Sequence, residues 1–115
     1  MEVKISSIAD KGDLANERIG FKVLKDCQLK YFIVFKTSKT KNGFANIGDN
    51  AFWFIPNEVK AGDKVVLYSK KGNDSIINNK DGTKTYFFYW KLSSPIFNSE
   101  NDKVVLINAK SYKSF

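Results

Sequence analysis

The sequence predicts an all-β domain, a β-sandwich of about seven to nine short strands. Apolar and polar residues alternate in short stretches, and polar turn sequences separate those stretches. No segment shows sustained helical periodicity with capping residues. A small β-barrel, similar to the oligonucleotide-binding (OB) barrel, is the alternative. Residues 1–115 are long enough to form one domain with one core.

The first three strands are predicted from alternation and from one apolar run. The first strand begins near residue 3 and ends near residue 10, and the second covers residues 19–24. The third covers residues 29–37, and its residues 32–35 are apolar without interruption. Such a run is typical of a central strand that is covered on both faces.

The remaining strands are bounded by turn signals. The fourth, residues 51–55, must end at Pro56, because proline cannot donate a hydrogen bond to a neighbouring strand. Residues 64–68, 86–90 and 104–107 are predicted as the last three strands. The stretch 70–84 is polar and contains a strong turn signal near its end.

The pentapeptide Asp-Lys-Val-Val-Leu occurs twice, at residues 63–67 and 102–106. In both places a polar turn leads into a β-branched run, so each copy is predicted to begin a strand. Two copies with different flanking sequences are too few for a repeat architecture. We expect the lysines to face solvent while the valines and leucine alternate through the sheet.

Three passages resemble the lamin tail domain, an immunoglobulin-like β-sandwich. Phe54-Ile55-Pro56, followed by Val59-Lys60-Ala61-Gly62 and a strand, is similar to that family's Phe/Pro and Ala-Gly turns. Residues 92–106 are similar to its last hairpin. Residues 16–21 look like its second strand, with Glu17 before the alternating apolar positions. The resemblance implies an immunoglobulin-like binding or structural module, of a family in which some members contact DNA or partner proteins.

The absence of histidine restricts the chemistry that the chain can perform. Without histidine, the usual catalytic triads and most transition-metal sites are excluded. The only cysteine, Cys27, cannot form an intramolecular disulfide, and we expect it to be packed or half-exposed. No cofactor is expected, and the chain is predicted not to be an enzyme; an enzyme of unrecognised type is the least favoured alternative.

Paired carboxylates are the remaining candidates for catalysis or metal binding. They lie in predicted turns, where aspartate and asparagine accept backbone hydrogen bonds, so turn capping is the favoured interpretation. The pairs are Asp10 with Asp13, Asp74 with Asp81, and Glu100 with Asp102. A weak Ca²⁺ site is the alternative, around Asn73, Asp74, Asn78 and Asp81.

The net charge of +7 is the compositional indication of a polyanionic partner. Arg18 is the only arginine, so the positive charge comes almost entirely from lysine, which lacks arginine's planar fork. A merely solvated surface is the favoured interpretation. The candidate polyanion contacts are the lysines that gather in loops: Lys39, Lys41, Lys70, Lys71, Lys80 and Lys84.

The aromatic residues offer two interpretations. Trp53 and Trp90 are expected in the core, where large rings dominate burial. Phe52, Phe54 and Tyr89 are expected at an exposed apolar patch or an oligomer contact. The alternative is a platform on which nucleic-acid bases stack.

The sequence therefore predicts a non-catalytic interaction module that binds a protein partner or a second copy of itself. The alternative is a nucleic-acid-binding domain driven by lysine. The first residues lack the pattern of a signal peptide, and no apolar run approaches the roughly 20 residues that span a membrane. We therefore expect a cytoplasmic protein with no membrane partner.

Overall fold

The computed structural model describes residues 1–44 and 50–115. Its regular structure is β, apart from one turn of 3-10 helix at Leu29–Tyr31, so the all-β prediction is confirmed. None of the described residues lies in a helix that is long and apolar enough to cross a membrane. The strands are β1 (Val3–Ala9), β2 (Arg18–Val23), β3 (Cys27–Gln28), β4 (Phe32–Thr40), β5 (Gly43–Phe44), β6 (Asn50–Trp53), β7 (Glu58–Val59), β8 (Lys64–Tyr68), β9 (Ser75–Asn78), β10 (Lys84–Tyr89) and β11 (Asp102–Asn108).

Two sheets form the sandwich. In the first sheet the strands lie in the order β1-β2-β8-β10-β9, and every pair is antiparallel except β8 with β10, which is parallel. In the second sheet β11 and β6 pair with the same stretch of β4 from its two edges, and β5 forms a hairpin with the end of β4. A short ribbon of β3 and β7 completes the fold. The described strands form no closed barrel, so the barrel alternative is wrong.

The core lies between the inner faces of the two sheets. Alternate residues of β2, β8 and β10 point into it, as the pleat requires. Aromatic rings connect the sheets: Phe52 of β6 lies 6.4 Å from Phe88 of β10, measured between ring centroids. The buried strand residues include Val3, Ile19, Phe21, Val23, Phe32, Val34, Val65, Leu67, Tyr86 and Phe88.

The predicted strands are present, but several differ from the prediction in extent or burial. The fourth ends at Trp53, before Pro56 is reached. Residues 29–31 form the 3-10 turn, so the third predicted strand begins only at Phe32. β9 lies within the stretch 70–84, where only a polar segment and a turn were expected. β4 is a central strand as predicted, but only its inner face carries fully buried apolar residues.

The two copies of the pentapeptide begin strands in the same way. The backbone N–H of Asp63 donates to the carbonyl of Lys60 (2.9 Å), and its Oδ2 accepts from the N–H of Lys60 (2.9 Å). Asp102 repeats both bonds with Ser99, at 3.2 and 2.9 Å. Each aspartate thus closes a four-residue turn with its backbone and its side chain before the strand starts. The prediction of two separate turn-to-strand junctions is confirmed.

The same inward phase follows in both strands. In β8, Val65 and Leu67 are buried. In β11, Val104 and Leu106 are half-buried and pack against the core. The second valine of each copy therefore faces outward, and in β11 this adds an apolar residue to the outer surface of the second sheet.

Glu17 connects three loop segments from within the core. Its side chain is 0% exposed. Oε1 accepts from the Ser69 hydroxyl (2.5 Å) and the Ile96 N–H (2.6 Å), and Oε2 accepts from the N–H groups of Gly12 (2.8 Å) and Phe97 (3.2 Å). Four donors satisfy the buried carboxylate, as such burial requires. Glu17 therefore fixes the first turn, the end of β8 and the segment that leads to β11.

Candidate binding surfaces

The aromatic residues in and just after β6 face the opposite side of the sheet from the one predicted. Because Phe52 pairs with Val34, whose side chain is buried, Phe52 also points inward and packs half-buried on the core. Phe54 is 2% exposed, whereas Trp53 is 50% exposed. The expected exposure of Phe52 and Phe54 is therefore wrong, and so is the core position of Trp53. The core position of Trp90 is confirmed at 9% exposure.

The outer surface of the second sheet is apolar across three strands. Ile33 of β4 pairs with Ile107 of β11 on one side and with Trp53 of β6 on the other. Two residues further along β4, Phe35 pairs with Val105 of β11 and with Ala51 of β6, which forms a second outward apolar row. We call this surface the apolar face; its residues are Ile33, Phe35, Ala51, Trp53, Val105 and Ile107.

The apolar face is only partly covered by the chain itself. The Tyr112 ring, from the segment after β11, meets Trp53 edge to face with centroids 4.9 Å apart. The indole N–H of Trp53 donates to the carbonyl of Lys30 at 2.6 Å, which fixes the orientation of the ring. Trp53 nevertheless keeps half of its surface exposed, so the ring is held in place and open to a partner.

The aromatic residues on the outer surface of the first sheet do not offer a base-stacking platform. Tyr68 and Tyr89 are cross-strand neighbours and stack on each other, with centroids 5.3 Å apart and planes 11° from parallel. A Cβ built on Gly72 would lie 2.3 Å from Cε1 of Tyr89, so the backbone there lies directly against the ring. Lys70 Nζ lies 5.0 Å from the centroid of Tyr68. The ring faces are thus occupied, and Tyr89 is half-buried rather than an exposed contact.

The six loop lysines do not form one patch. Because β8 and β10 run parallel, the end of β8 and the start of β10 lie at opposite ends of the first sheet. The first pair, Lys70 and Lys71, follows the end of β8. The second pair, Lys80 and Lys84, lies at or just before the start of β10. The third pair, Lys39 and Lys41, belongs to the β4–β5 hairpin. Their role as polyanion contacts stays a prediction, and any single ligand must bridge separate regions to meet them all.

A different set of lysines is brought together by strand pairing. Lys4 pairs with Lys22, and Lys22 pairs with Lys64, so three ammonium groups cross the outer surface of the first sheet on adjacent strands. We call them the lysine row. Within residues 1–44 and 50–115 the ion pairs are Arg18 with Asp10 and Lys60 with Asp26, and neither involves the row. Alternation in the sequence places each of these lysines outward, but only the pairing register aligns them.

Three of the paired carboxylates accept hydrogen bonds within their own turns. Asp13 Oδ1 accepts from the N–H of Ala15 (3.1 Å), and Asp81 Oδ1 accepts from the N–H (3.0 Å) and hydroxyl (2.6 Å) of Thr83. Together with the turn bonds of Asp102, these contacts confirm turn capping for three of the paired carboxylates. In the described part of the chain, no group of three or more Cys, Asp or Glu side chains is placed to hold a metal ion.

Cys27 is half-buried, as expected, and its environment suppresses ionisation. Burial raises the pKa of the Cys27 thiol, with smaller contributions from the carboxylates of Glu2 and Asp26. A raised pKa leaves less thiolate at any pH below it, and the thiolate is the nucleophile. We therefore expect iodoacetamide to alkylate the native protein several-fold more slowly at pH 8 than the same protein unfolded in urea. Equal rates in the two states would contradict this account.

Comparison of the chain with protein-family models, with curated proteins and with solved structures gave no match.

Proposed function

We propose that the chain is a non-catalytic interaction module that associates through its apolar face, in the first place with a second copy of itself. The observation that carries the proposal is the composition of β4. Its residues 32–35 are apolar on both faces, which is typical of a strand covered on both sides. The core covers the inner face, and a partner is needed to cover the outer one.

The chemistry of the apolar face supports a protein partner. An antiparallel sheet that faces water usually presents polar residues outward, whereas this one presents two apolar rows. A contiguous exposed apolar patch marks an interaction site, and a well-oriented tryptophan is a common centre of binding energy. Ile33 and Phe35 of the central strand lie in the middle of the patch, so two copies can place equivalent rows against each other about a two-fold axis.

The proposal is tested by replacing the exposed tryptophan. We expect the wild-type protein to move from monomer to dimer with rising concentration in size-exclusion chromatography with light scattering. Trp53→Lys should weaken dimerisation at least about 30-fold, because the loss of a tryptophan that contributes strongly to an interface costs roughly 2 kcal/mol or more. Fluorescence gives a second readout: in the wild type the Trp53 emission should shift to shorter wavelength as the dimer forms.

The matched control is Leu24→Lys. Leu24 is 48% exposed, a fraction similar to the 50% of Trp53. It lies outside the apolar face, so this variant should dimerise like the wild type. A wild-type protein that stays monomeric at millimolar concentration would contradict self-association. A loss of dimer in Leu24→Lys as large as that in Trp53→Lys would contradict the assignment to this face.

A further inference from the structure

We propose that the outer surface of the first sheet carries a second and separate binding site, a shallow concavity above Gly20 that binds a diphosphate group. The concavity has a volume of about 360 Å³ and is lined by Ser6, Ser7, Gly20, Lys22, Lys64 and Val66. Its size lies at the lower end of small-molecule pockets, roughly 300–1,000 Å³. It is on the opposite side of the sandwich from the apolar face.

The floor of the concavity exists because residue 20 has no side chain. Gly20 lies mid-strand in β2, where any other residue would place a Cβ outward between its neighbours. A Cβ built there would lie 2.5 Å from the Ser7 hydroxyl oxygen and 3.5 Å from that of Ser6. The space above Gly20 is therefore bordered by two hydroxyl groups.

A β-bulge supplies both hydroxyls. The pairing of β1 with β2 shifts register between Ile5 and Ser7, so Ser6 and Ser7 both reach the outer surface instead of alternating. Across the described residues, neither serine hydroxyl has a hydrogen-bond partner in the protein. Both can therefore donate to a bound anion.

The lysine row supplies the charge. Like charges that face each other across strands destabilise a sheet, and Lys22 pairs with both Lys4 and Lys64. An anion above Gly20 would meet two ammonium groups of the row, Lys22 and Lys64, and so relieve their repulsion.

The donors present favour phosphate oxygens over a carboxylate or a nucleobase. Lysine acts on phosphate as a point charge, and serine hydroxyls add charge-assisted hydrogen bonds to the same oxyanions. A diphosphate offers enough oxygens for two lysines and two serines at once. A base would need an open aromatic face, and the nearby Tyr68 and Tyr89 rings cover each other.

The test is a titration of the ¹⁵N-labelled protein with pyrophosphate, followed by amide chemical shifts. We expect saturable shifts at Ser6, Ser7, Gly20 and Lys22, with a dissociation constant in the millimolar range or below. Lys22→Gln should weaken binding about tenfold, because it removes one of two charges that contact the ligand. Gly20→Ala should weaken it as well, because its methyl group fills the floor and displaces the flexible Ser7 hydroxyl.

Lys71→Gln is the matched control, since it removes the same charge beyond the end of β8, outside the concavity. This variant should bind pyrophosphate within about twofold of the wild type. Shifts that fail to saturate, or equal losses in the Lys71 and Lys22 variants, would overturn the proposal. The amide spectrum of each variant also reports whether it is folded.

A second arm separates a compact phosphate from a nucleic-acid backbone. The same protein is titrated with a single-stranded decathymidylate, and Ser7→Ala is included. We expect Ser7→Ala to weaken pyrophosphate binding and the oligonucleotide to bind no more tightly than pyrophosphate. Tighter oligonucleotide binding that is insensitive to Ser7→Ala, with shifts spread over the loop lysines, would overturn the site in favour of diffuse nucleic-acid binding.

Discussion

Replacement of Glu17 by alanine is expected to lower the free energy of unfolding by about 3–5 kcal/mol. The substitution leaves the N–H groups of Gly12, Ile96 and Phe97 and the Ser69 hydroxyl without their acceptor. Each buried donor that loses its partner costs roughly 1–3 kcal/mol, and local rearrangement or entering water recovers part of the sum. Urea unfolding, followed by far-ultraviolet circular dichroism, measures the difference.

Two further variants make the Glu17 result specific. Glu17→Gln keeps the volume but turns one acceptor oxygen into a donor that faces other donors, so we expect a smaller loss of about 1–3 kcal/mol. Asp13→Ala removes an exposed capping carboxylate from the same turn and should cost about 1 kcal/mol or less. If Glu17→Ala cost no more than Asp13→Ala, Glu17 would not be the connection between the three segments.

Replacement of Phe54 by alanine is expected to cost about 3–5 kcal/mol. The Phe54 ring meets Phe21, Phe52 and Phe88 edge to face, with centroid distances of 5.6, 5.1 and 5.4 Å. Truncation removes all three contacts and leaves a cavity between the sheets, which the surrounding rings fill only in part. Thermal and urea unfolding both report the loss.

The neighbouring residue provides the control for Phe54. Ile55 is 52% exposed, so Ile55→Ala should change the free energy of unfolding by less than about 0.5–1 kcal/mol. The two variants together show which of the neighbouring residues is buried, because a shift of one residue along the strand would exchange the buried and exposed positions. A larger loss in Ile55→Ala than in Phe54→Ala would contradict the buried position of Phe54.

The same segment shows why its phase could not be predicted from the sequence. Strands such as β2 alternate between apolar and polar residues, so the sequence indicates both the strand and its buried side. Residues 51–55 are all apolar, and such a run is compatible with either phase. The pairing of Phe52 with Val34 determines which side of the run is buried, and that pairing joins positions 18 residues apart in the sequence.

Long-range pairing also explains the other features that were missed. β9 contains only Ser75, two isoleucines and Asn78, all exposed, and its strand conformation comes from pairing with β10. The lysine row depends on the register of β1, β2 and β8, which the sequence does not contain locally. The resemblance to lamin tail domains marked Glu17 as a position before the second strand, but its four donors come from segments up to 80 residues away.

Because the two outer sheet surfaces differ in chemistry, we expect the two proposed binding events to respond to ionic strength in opposite directions. The Debye length falls from about 10 Å at 0.1 M salt to about 3 Å at 1 M. Added salt screens the repulsion between two copies that each carry a net charge of +7, and so favours contact through the apolar face. The same screening should weaken the proposed binding of an anion by Lys22 and Lys64. We therefore expect high salt to favour the proposed dimerisation and low salt to favour the proposed anion binding.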